Sequence, residues 1–357
     1  MKEPNRYQKE LINSLEGVYL VDAGAGTGKT FTLAHRYARI LEKDGISPED
    51  VLLTTFTENG AENMKERIKR FSEGEIAVSD APITTFHSYC KDLLERKGVR
   101  APDKLGIDLP LTSFDIMDGS SDYFERRTFR RFITRFEREN PGYEKFFRPL
   151  RSEDPILNLI KELSCRGIFP TSEGWYGDGR EMLEGDMEEM RSLFRQTNRP
   201  KEGKRGKKNS ELKNRLRNFD SYLFEKEAPS KKELRPGGMK KVPEKYFERA
   251  FSEERDELFS FIHDVYFEYL RFCVENGYLN FQFLMMLAYV LLVEDGEVRE
   301  EESFDYIMVD EFQDTNELQF KLSLVLSGEG NIAAVGDWKQ SIFGFQNASV
   351  DNILDFE

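Results

Sequence analysis

Short apolar or β-branched runs alternate with longer amphipathic runs along the first hundred residues. Val18–Val21, Val51–Phe56 and Ile83–Phe86 have the composition of buried strands. After the first of them, Lys29–Lys43 places Leu33, Ala34, Tyr37, Ile40 and Leu41 at helical spacing, and Gly45 and Pro48 punctuate its end. Ala61–Phe71 and Ser88–Arg96 follow the other two strands in the same way. Strand–helix–strand alternation predicts a parallel sheet covered by helices, an α/β fold.

The pattern stops between about Val99 and Ser260, where charge is dense and aromatics fall at helical spacing, as in FERRTFRRFITRFE. It resumes with Tyr306–Val309 as a strand, Glu317–Leu326 as a helix and Ile332–Val335 as a strand. A break of roughly 160 residues is too long for a loop inside a compact domain. The expectation is therefore a core made of residues 1–100 and 261–357, with residues 101–260 inserted as a mostly helical domain. Within the insertion, RPKEGKRGKKNS (199–210) and PSKKELRPGGMKK (229–241) have the composition of surface segments.

Composition changes this picture in three places. Charged residues make up 33% of the chain and no apolar run reaches the roughly 18 residues that cross a bilayer. The longest, Phe281 to Val293, is too short. The start, MKEPNRYQKE, lacks the apolar stretch of a secretion signal. Cys90, Cys165 and Cys273 are far apart and show no metal-ligand spacing, so they are expected as free, buried thiols in a reducing compartment, with no membrane partner. Net charge is −14, yet residues 195–249 carry 18 Lys and Arg against 8 Asp and Glu. That local balance of +10 leaves −24 on the rest. Only the field at a groove governs phosphate binding, so the global sign does not exclude a nucleic acid. The basic stretch reads equally as a duplex-holding surface or as a solvated one.

The candidate chemistry begins at AGAGTGKT (23–30), which ends as a phosphate loop does but opens on Ala23 where the pattern has Gly. Glycines let successive N–H groups turn toward phosphate oxygens, and the following helix adds its positive end. Ala25, Gly26, Thr27 and Gly28 would line the phosphates, Lys29 would reach the β and γ groups, and the Thr30 hydroxyl would ligate Mg²⁺. In YIMVDE (306–311), Asp310 leaves an apolar strand, where it can hold Mg²⁺ through water, and Glu311 can accept a proton from an attacking water. Paired with the loop, this favours hydrolysis of a nucleoside triphosphate over passive nucleotide binding. No Asn-Lys-x-Asp guanine reader occurs, and LSGEG (326–330) is expected as a helix end with a glycine cap.

The acidic strand continues as VDEFQDTN (309–316), and VGDWKQSIFGF (335–345) follows. Together with the phosphate loop, NRYQ (5–8), TTFTENGAENMKERI (54–68) and TFHSYC (85–90), these resemble, in order, the motifs of superfamily 1 helicases of the UvrD/Rep/PcrA type. The resemblance implies a RecA-like phosphate-loop NTPase core with an inserted helical domain. It implies the first half of an ATP-dependent 3′-to-5′ motor acting on single-stranded DNA and on single/double-strand junctions in repair or recombination. In that frame Gln8 reads adenine, Arg36 stacks on the base, and Gln340 senses the γ-phosphate. Phe56, Phe343 and Phe345 are platforms for stacked bases, and Thr55, Thr85 and His87 contact the strand.

Two departures from the family pattern stand out. An Asn-Lys-Ala-Ala run is replaced by Glu58, Asn59, Gly60 and Ala61, and an Arg is missing near Gln346. The family's second RecA-like half, which brings catalytic arginines, does not follow NILDFE (352–357) here. An N-terminal portion with weak activity and no unwinding of its own is therefore expected. The resemblance places the protein in the cytoplasm, at the nucleoid in a prokaryote. It leaves open the motor of a RecB/AddA-like helicase–nuclease, with a nuclease domain or partner, and a nucleotide-switched binding module.

Overall fold

A computed structural model of the chain describes residues 3–24, 26–72, 76–117, 122–143, 153–184 and 255–337. Ala25, Gln340, Phe343, Phe345 and the basic stretch 195–249 lie outside the described residues.

The strands are β1 (Val18–Asp22), β2 (Val51–Thr54), β3 (Ile83–Thr84), β8 (Phe304–Asp310) and β9 (Ser327–Gly336), in the order β1-β9-β8-β2-β3 with every pairing parallel. Period-two alternation divides their side chains between two hydrophobic clusters. Val51, Leu53, Met308, Ala333 and Val335 face the helices α1 (Arg6–Asn13), α2 (Lys29–Ile40) and α3 (Glu58–Phe71). Leu52, Ile307, Val309, Ile332 and Ala334 face α4 (Phe86–Lys97) and, further along the chain, α9 (Phe281–Glu294) and α11 (Glu317–Leu326). A strand buried on both faces carries an unbroken apolar run, which is why the strands were legible without alternation. The result is a sheet with helices on both faces, the expected α/β architecture.

Between β3 and β8 the described residues are mostly helical. Helices α5 (Asp122–Glu139), α6 (Glu153–Cys165), α7 (Gly179–Glu184) and α8 (Arg255–Glu275) are accompanied by two-stranded pairs. These are β4 (Asp115–Ile116) with β7 (Tyr278–Leu279), and β5 (Pro170–Thr171) with β6 (Gly174–Trp175). The helically spaced aromatics meet one another: Phe129 and Phe132 of α5 lie 4.9 and 5.1 Å from the Tyr269 ring of α8. The position expected as a domain boundary, 260/261, falls inside α8. Helix α9 has Phe283 to Ala288 fully enclosed, as an apolar helix too short for a bilayer should be. Helix α10 (Gly296–Glu301) leads into β8. Among the described residues no helix is long and apolar enough to cross a membrane. All three cysteines are free and buried.

Two local expectations are corrected. Strand β3 stops at Thr84 because the Thr85 hydroxyl accepts a hydrogen bond from the Ser88 N–H (3.1 Å), starting α4 two residues earlier than the apolar pattern suggested. LSGEG is not a glycine-capped helix end. Helix α11 stops at Leu326 and Ser327 already belongs to β9, with a register shift against β8 between Phe304 and Tyr306. Gly330 takes a left-handed backbone (φ 72°) within that irregular stretch.

Candidate nucleotide-binding site

The strand order brings the C-terminal ends of β1, β9 and β8 side by side, with Asp22 in register with Gly336 and Asp310 with Val335. That edge is where parallel α/β sheets bind ligands. The loop after β1 turns back through Gly26 (φ 73°) and Gly28 (φ 96°). Gly28 sits at the N-cap of α2, and no side chain caps the helix. A Cβ there would also lie 3.0 Å from Gln8 Nε2. The first N–H groups of α2 are thus left to an outside acceptor, with the positive end of the helix behind them.

Across the sheet edge, Lys29 Nζ is 2.7 Å from Glu311 Oε2, and the Thr30 hydroxyl donates to Asp310 Oδ2 at 3.3 Å. Two segments nearly three hundred positions apart therefore converge. Asp310 is buried, and burial, aided by the neighbouring Glu311, pushes its pKa up to about 6. A carboxylate so placed is short of positive charge, and the Thr30–Asp310 pair offers a hydroxyl and a carboxylate that would suit a nucleotide-borne Mg²⁺. Among the described residues no group of three or more His, Cys, Asp or Glu gathers as a metal centre of its own. Glu311 has the described residues' sole left-handed backbone outside glycine (φ 54°), a strained conformation at the site where it meets Lys29.

A cavity of about 520 Å³ runs from this loop to α1, lined by Asn5, Tyr7, Gln8, Tyr19, Thr27 and Lys29 among others. Gln8 closes a capping box with Asn5, and its Nε2 donates to the Thr27 carbonyl at 3.0 Å. Each end of the amide keeps one further hydrogen-bonding position for a base edge.

Arg36 does not face that cavity, which corrects the expectation that it stacks on a base. It is 1% exposed, with its guanidinium on the carbonyls of Leu11, Ser14 (2.5 Å) and Leu15 (2.9 Å), so it ties the end of α1 to α2. Burial pulls its pKa down to about 10, with Tyr19 and Tyr306 acting the other way, and it stays charged at neutral pH. A cation three carbonyls deep has no freedom to swing out. Tyr7 and Tyr19 are the aromatic walls of the cavity, and sequence reading passed over both.

Of the residues expected at a nucleic-acid strand, Thr55, Phe56, Thr85 and His87 line one narrow cleft together with Asp310, Glu311 and Asp314. Phe56 is exposed. Thr55 is buried, and its hydroxyl donates to the Thr57 carbonyl at 2.9 Å. Thr85 donates to Glu58 Oε1 at 2.9 Å, and Ser88 donates to the same oxygen. His87 packs on Phe281, ring centroids 4.4 Å apart, and burial pulls its pKa down to about 4 against the pull of Glu58, so it is neutral. Residues missed altogether are Gln313 and Asp314, both buried in the turn after β8. Their signal was two polar residues enclosed by Phe312 and Thr315.

A glycine turn opening on an uncapped helix, whose first residues Lys29 and Thr30 meet two carboxylates, is the arrangement of a phosphate-loop NTPase fold. The chain matches the profile of the UvrD/REP helicase N-terminal domain over residues 4–357, and it belongs to that family. It is 28% identical over 356 residues to the ATP-dependent DNA helicase PcrA of Staphylococcus aureus (strain Mu50 / ATCC 700699), which covers 99% of this chain and 36% of that protein. It is also 28% identical over 360 residues to PcrA of Staphylococcus epidermidis (strain ATCC 35984), covering 100% of this chain and 36% of that protein. The chain thus spans about a third of the length of these relatives.

Proposed function

We propose that this chain is the ATP-binding first half of a DNA helicase or translocase that moves 3′ to 5′ along single-stranded DNA and opens single/double-strand junctions in repair or recombination. The observation that carries this reading is the meeting of Lys29 and Thr30 with Asp310 and Glu311. Gln8 and residues 25–30 hold the nucleotide, Thr30 and Asp310 hold its Mg²⁺, and Glu311 accepts the proton of the attacking water. Bound Mg²⁺ would neutralise charge on the phosphates. Gln340 senses the γ-phosphate; Thr55, Phe56, Thr85, His87, Phe343 and Phe345 form the strand-binding face. Residues 1–100 and 261–357 act as the RecA-like core, and residues 101–260 as an insertion on it. The PcrA relatives extend well beyond the matched stretch, and we assign to that remainder the second RecA-like half needed for unwinding. Such a motor works in the cytoplasm, on the nucleoid in a prokaryote.

The test is ATP turnover by the full-length protein with and without single-stranded DNA. DNA should stimulate hydrolysis, and Glu311→Gln should abolish it while ATP binding persists. ATP binding without DNA-stimulated turnover in the unsubstituted protein would replace the motor with a nucleotide-switched binding module. A nuclease activity in the same protein would move it to a helicase–nuclease.

A further inference from the structure

The turn after β8 contains a side chain that the catalytic assignment above does not use. Gln313 is 3% exposed, and both ends of its amide are engaged. Its Nε2 donates to Glu311 Oε2 at 2.8 Å and lies 3.3 Å from Asp314 Oδ2. Its Oε1 accepts from the Asp337 N–H at 2.8 Å. These partners fix the orientation of the amide, because a flipped group would set its oxygen against two carboxylates and its NH₂ against an N–H donor. The approach to β9 is close: a Cβ on Gly336 would lie 2.8 Å from Gln313 Oε1 and 2.9 Å from Gln313 N. Only glycine lets the end of β9 pass there.

Glu311 Oε2 is the same oxygen that Lys29 Nζ holds at 2.7 Å. A terminal phosphate would draw Lys29 toward itself, and Glu311 would then keep the amide of Gln313 as its protein partner in this network. The backbone of Glu311 is strained (φ 54°), so its carboxylate position depends on what grips it. Gln313 grips it from a side chain anchored on the first residue after β9, at the head of the segment that continues toward Gln340.

We propose that Gln313 is a positioning residue that holds the Glu311 carboxylate for proton acceptance and ties that position to the end of β9. This rests on the functional reading above. Displacement of Asp337 at the end of β9 would pull on the Gln313 carbonyl and so move the carboxylate, giving that strand end a mechanical route to the chemistry.

Two substitutions separate the parts of this role in the full-length protein. Gln313→Glu keeps an oxygen for the Asp337 N–H but replaces the donor with a carboxylate beside Glu311 and Asp314. Gln313→Met keeps the length of the side chain and removes both bonds. Glu311 is faced by Lys29 of α2, by Asp310 and Asp314 of its own turn, and by His87 of α4 across the cleft. An added carboxylate in that set would repel the Glu311 carboxylate and displace it from this position. Steady-state hydrolysis in the presence of single-stranded DNA should show kcat down roughly tenfold to a hundredfold in both variants, against the 10²–10⁴-fold typical of losing the base itself. Affinity for a fluorescent ATP analogue should stay within about threefold in both. Gly336→Ala should also lower kcat, because its Cβ would press on the Gln313 side chain and backbone.

Unchanged kcat in both Gln313 variants overturns the proposal. So does a loss of kcat that follows the folded fraction alone or is matched by an equal loss of ATP affinity, because a purely structural bond does that. Unsubstituted protein that binds ATP but never hydrolyses it removes the functional reading and this inference together; normal turnover with indifferent Gln313 variants removes the inference alone.

Discussion

Two turns in this molecule run from a parallel strand into a helix at the same edge of the sheet, and they end differently. The turn from β1 to α2 reaches its helix through Gly28 in a left-handed conformation and leaves the helix start without a side-chain cap. The turn from β3 to α4 reaches its helix through Thr85, whose hydroxyl caps Ser88 N–H and donates to Glu58. One helix start keeps its donors for a ligand, and the other has satisfied part of its need internally. A glycine start is unfavourable by roughly a few tenths of a kcal/mol relative to one capped by Ser or Thr. That deficit persists where an anion, here a nucleotide phosphate, compensates for it. The comparison teaches that the first turn is built around something the chain does not itself contain, while the second is a finished surface against which a strand can lie.

Substitutions on the two sides should respond accordingly. The largest effect is expected on the α2 side. Arg36→Ala strips the carbonyls of Leu11, Ser14 and Leu15 of their buried donor and should lower unfolding stability by on the order of 3 kcal/mol in a denaturant titration. A variant of native stability with weakened ATP affinity would restore base stacking to Arg36. Next comes Asp310→Asn. The folded pKa of Asp310 lies near 6, above its ordinary value, so its ionisation costs stability as pH rises from about 4 through 6. Without nucleotide, the variant should be more stable than the parent at pH 7.5 by about 2 kcal/mol, and the gap should close below pH 4. Thermal melts across pH with and without Mg²⁺–ATP check this, and a gap that widens in acid would refute it.

On the α4 side the expected changes are smaller. Thr85→Ala removes a cap and should cost about 1 kcal/mol of stability while ATP affinity stays unchanged. The smallest effect is reserved for Glu58→Gln. This removes a negative charge from the proposed strand-binding face while keeping an oxygen for Thr85 and Ser88. Single-stranded DNA should bind a few-fold more tightly at low salt, with the difference fading as ionic strength rises. Equal affinities at low salt would mean that the strand runs elsewhere.

The parts of this molecule that were legible in its sequence are those fixed by local chemistry. Strands buried on both faces announce themselves as apolar runs, and a glycine turn before an amphipathic helix announces a phosphate loop. The convergence of Lys29 with Glu311 was inferable because each segment belongs to a recognisable motif. Arg36 was misread because spacing along α2 gives its distance from the loop but not which face of the helix α1 occupies. The start of α4 was misplaced because Phe86 and His87 look like strand continuation until the Thr85 cap is counted. Gln313 could not be assigned in advance, since its partners Glu311 and Asp337 lie on separate strands' ends. The role of Gly336 likewise becomes visible only when the turn after β8 is seen pressing on β9.

Strand β1 is at the edge of the five-stranded sheet, and its neighbour there is β9, more than three hundred positions later in the chain. Closing so distant a pairing is entropically slow, and it must wait for the far segment to exist. At a synthesis rate of roughly 5–20 residues per second, the strand that launches the phosphate loop stays without its partner for on the order of half a minute on the ribosome. Nucleotide can therefore meet the complete phosphate site only after β8 and β9 have been made, and the exposed β1 is the segment a chaperone would be expected to shield.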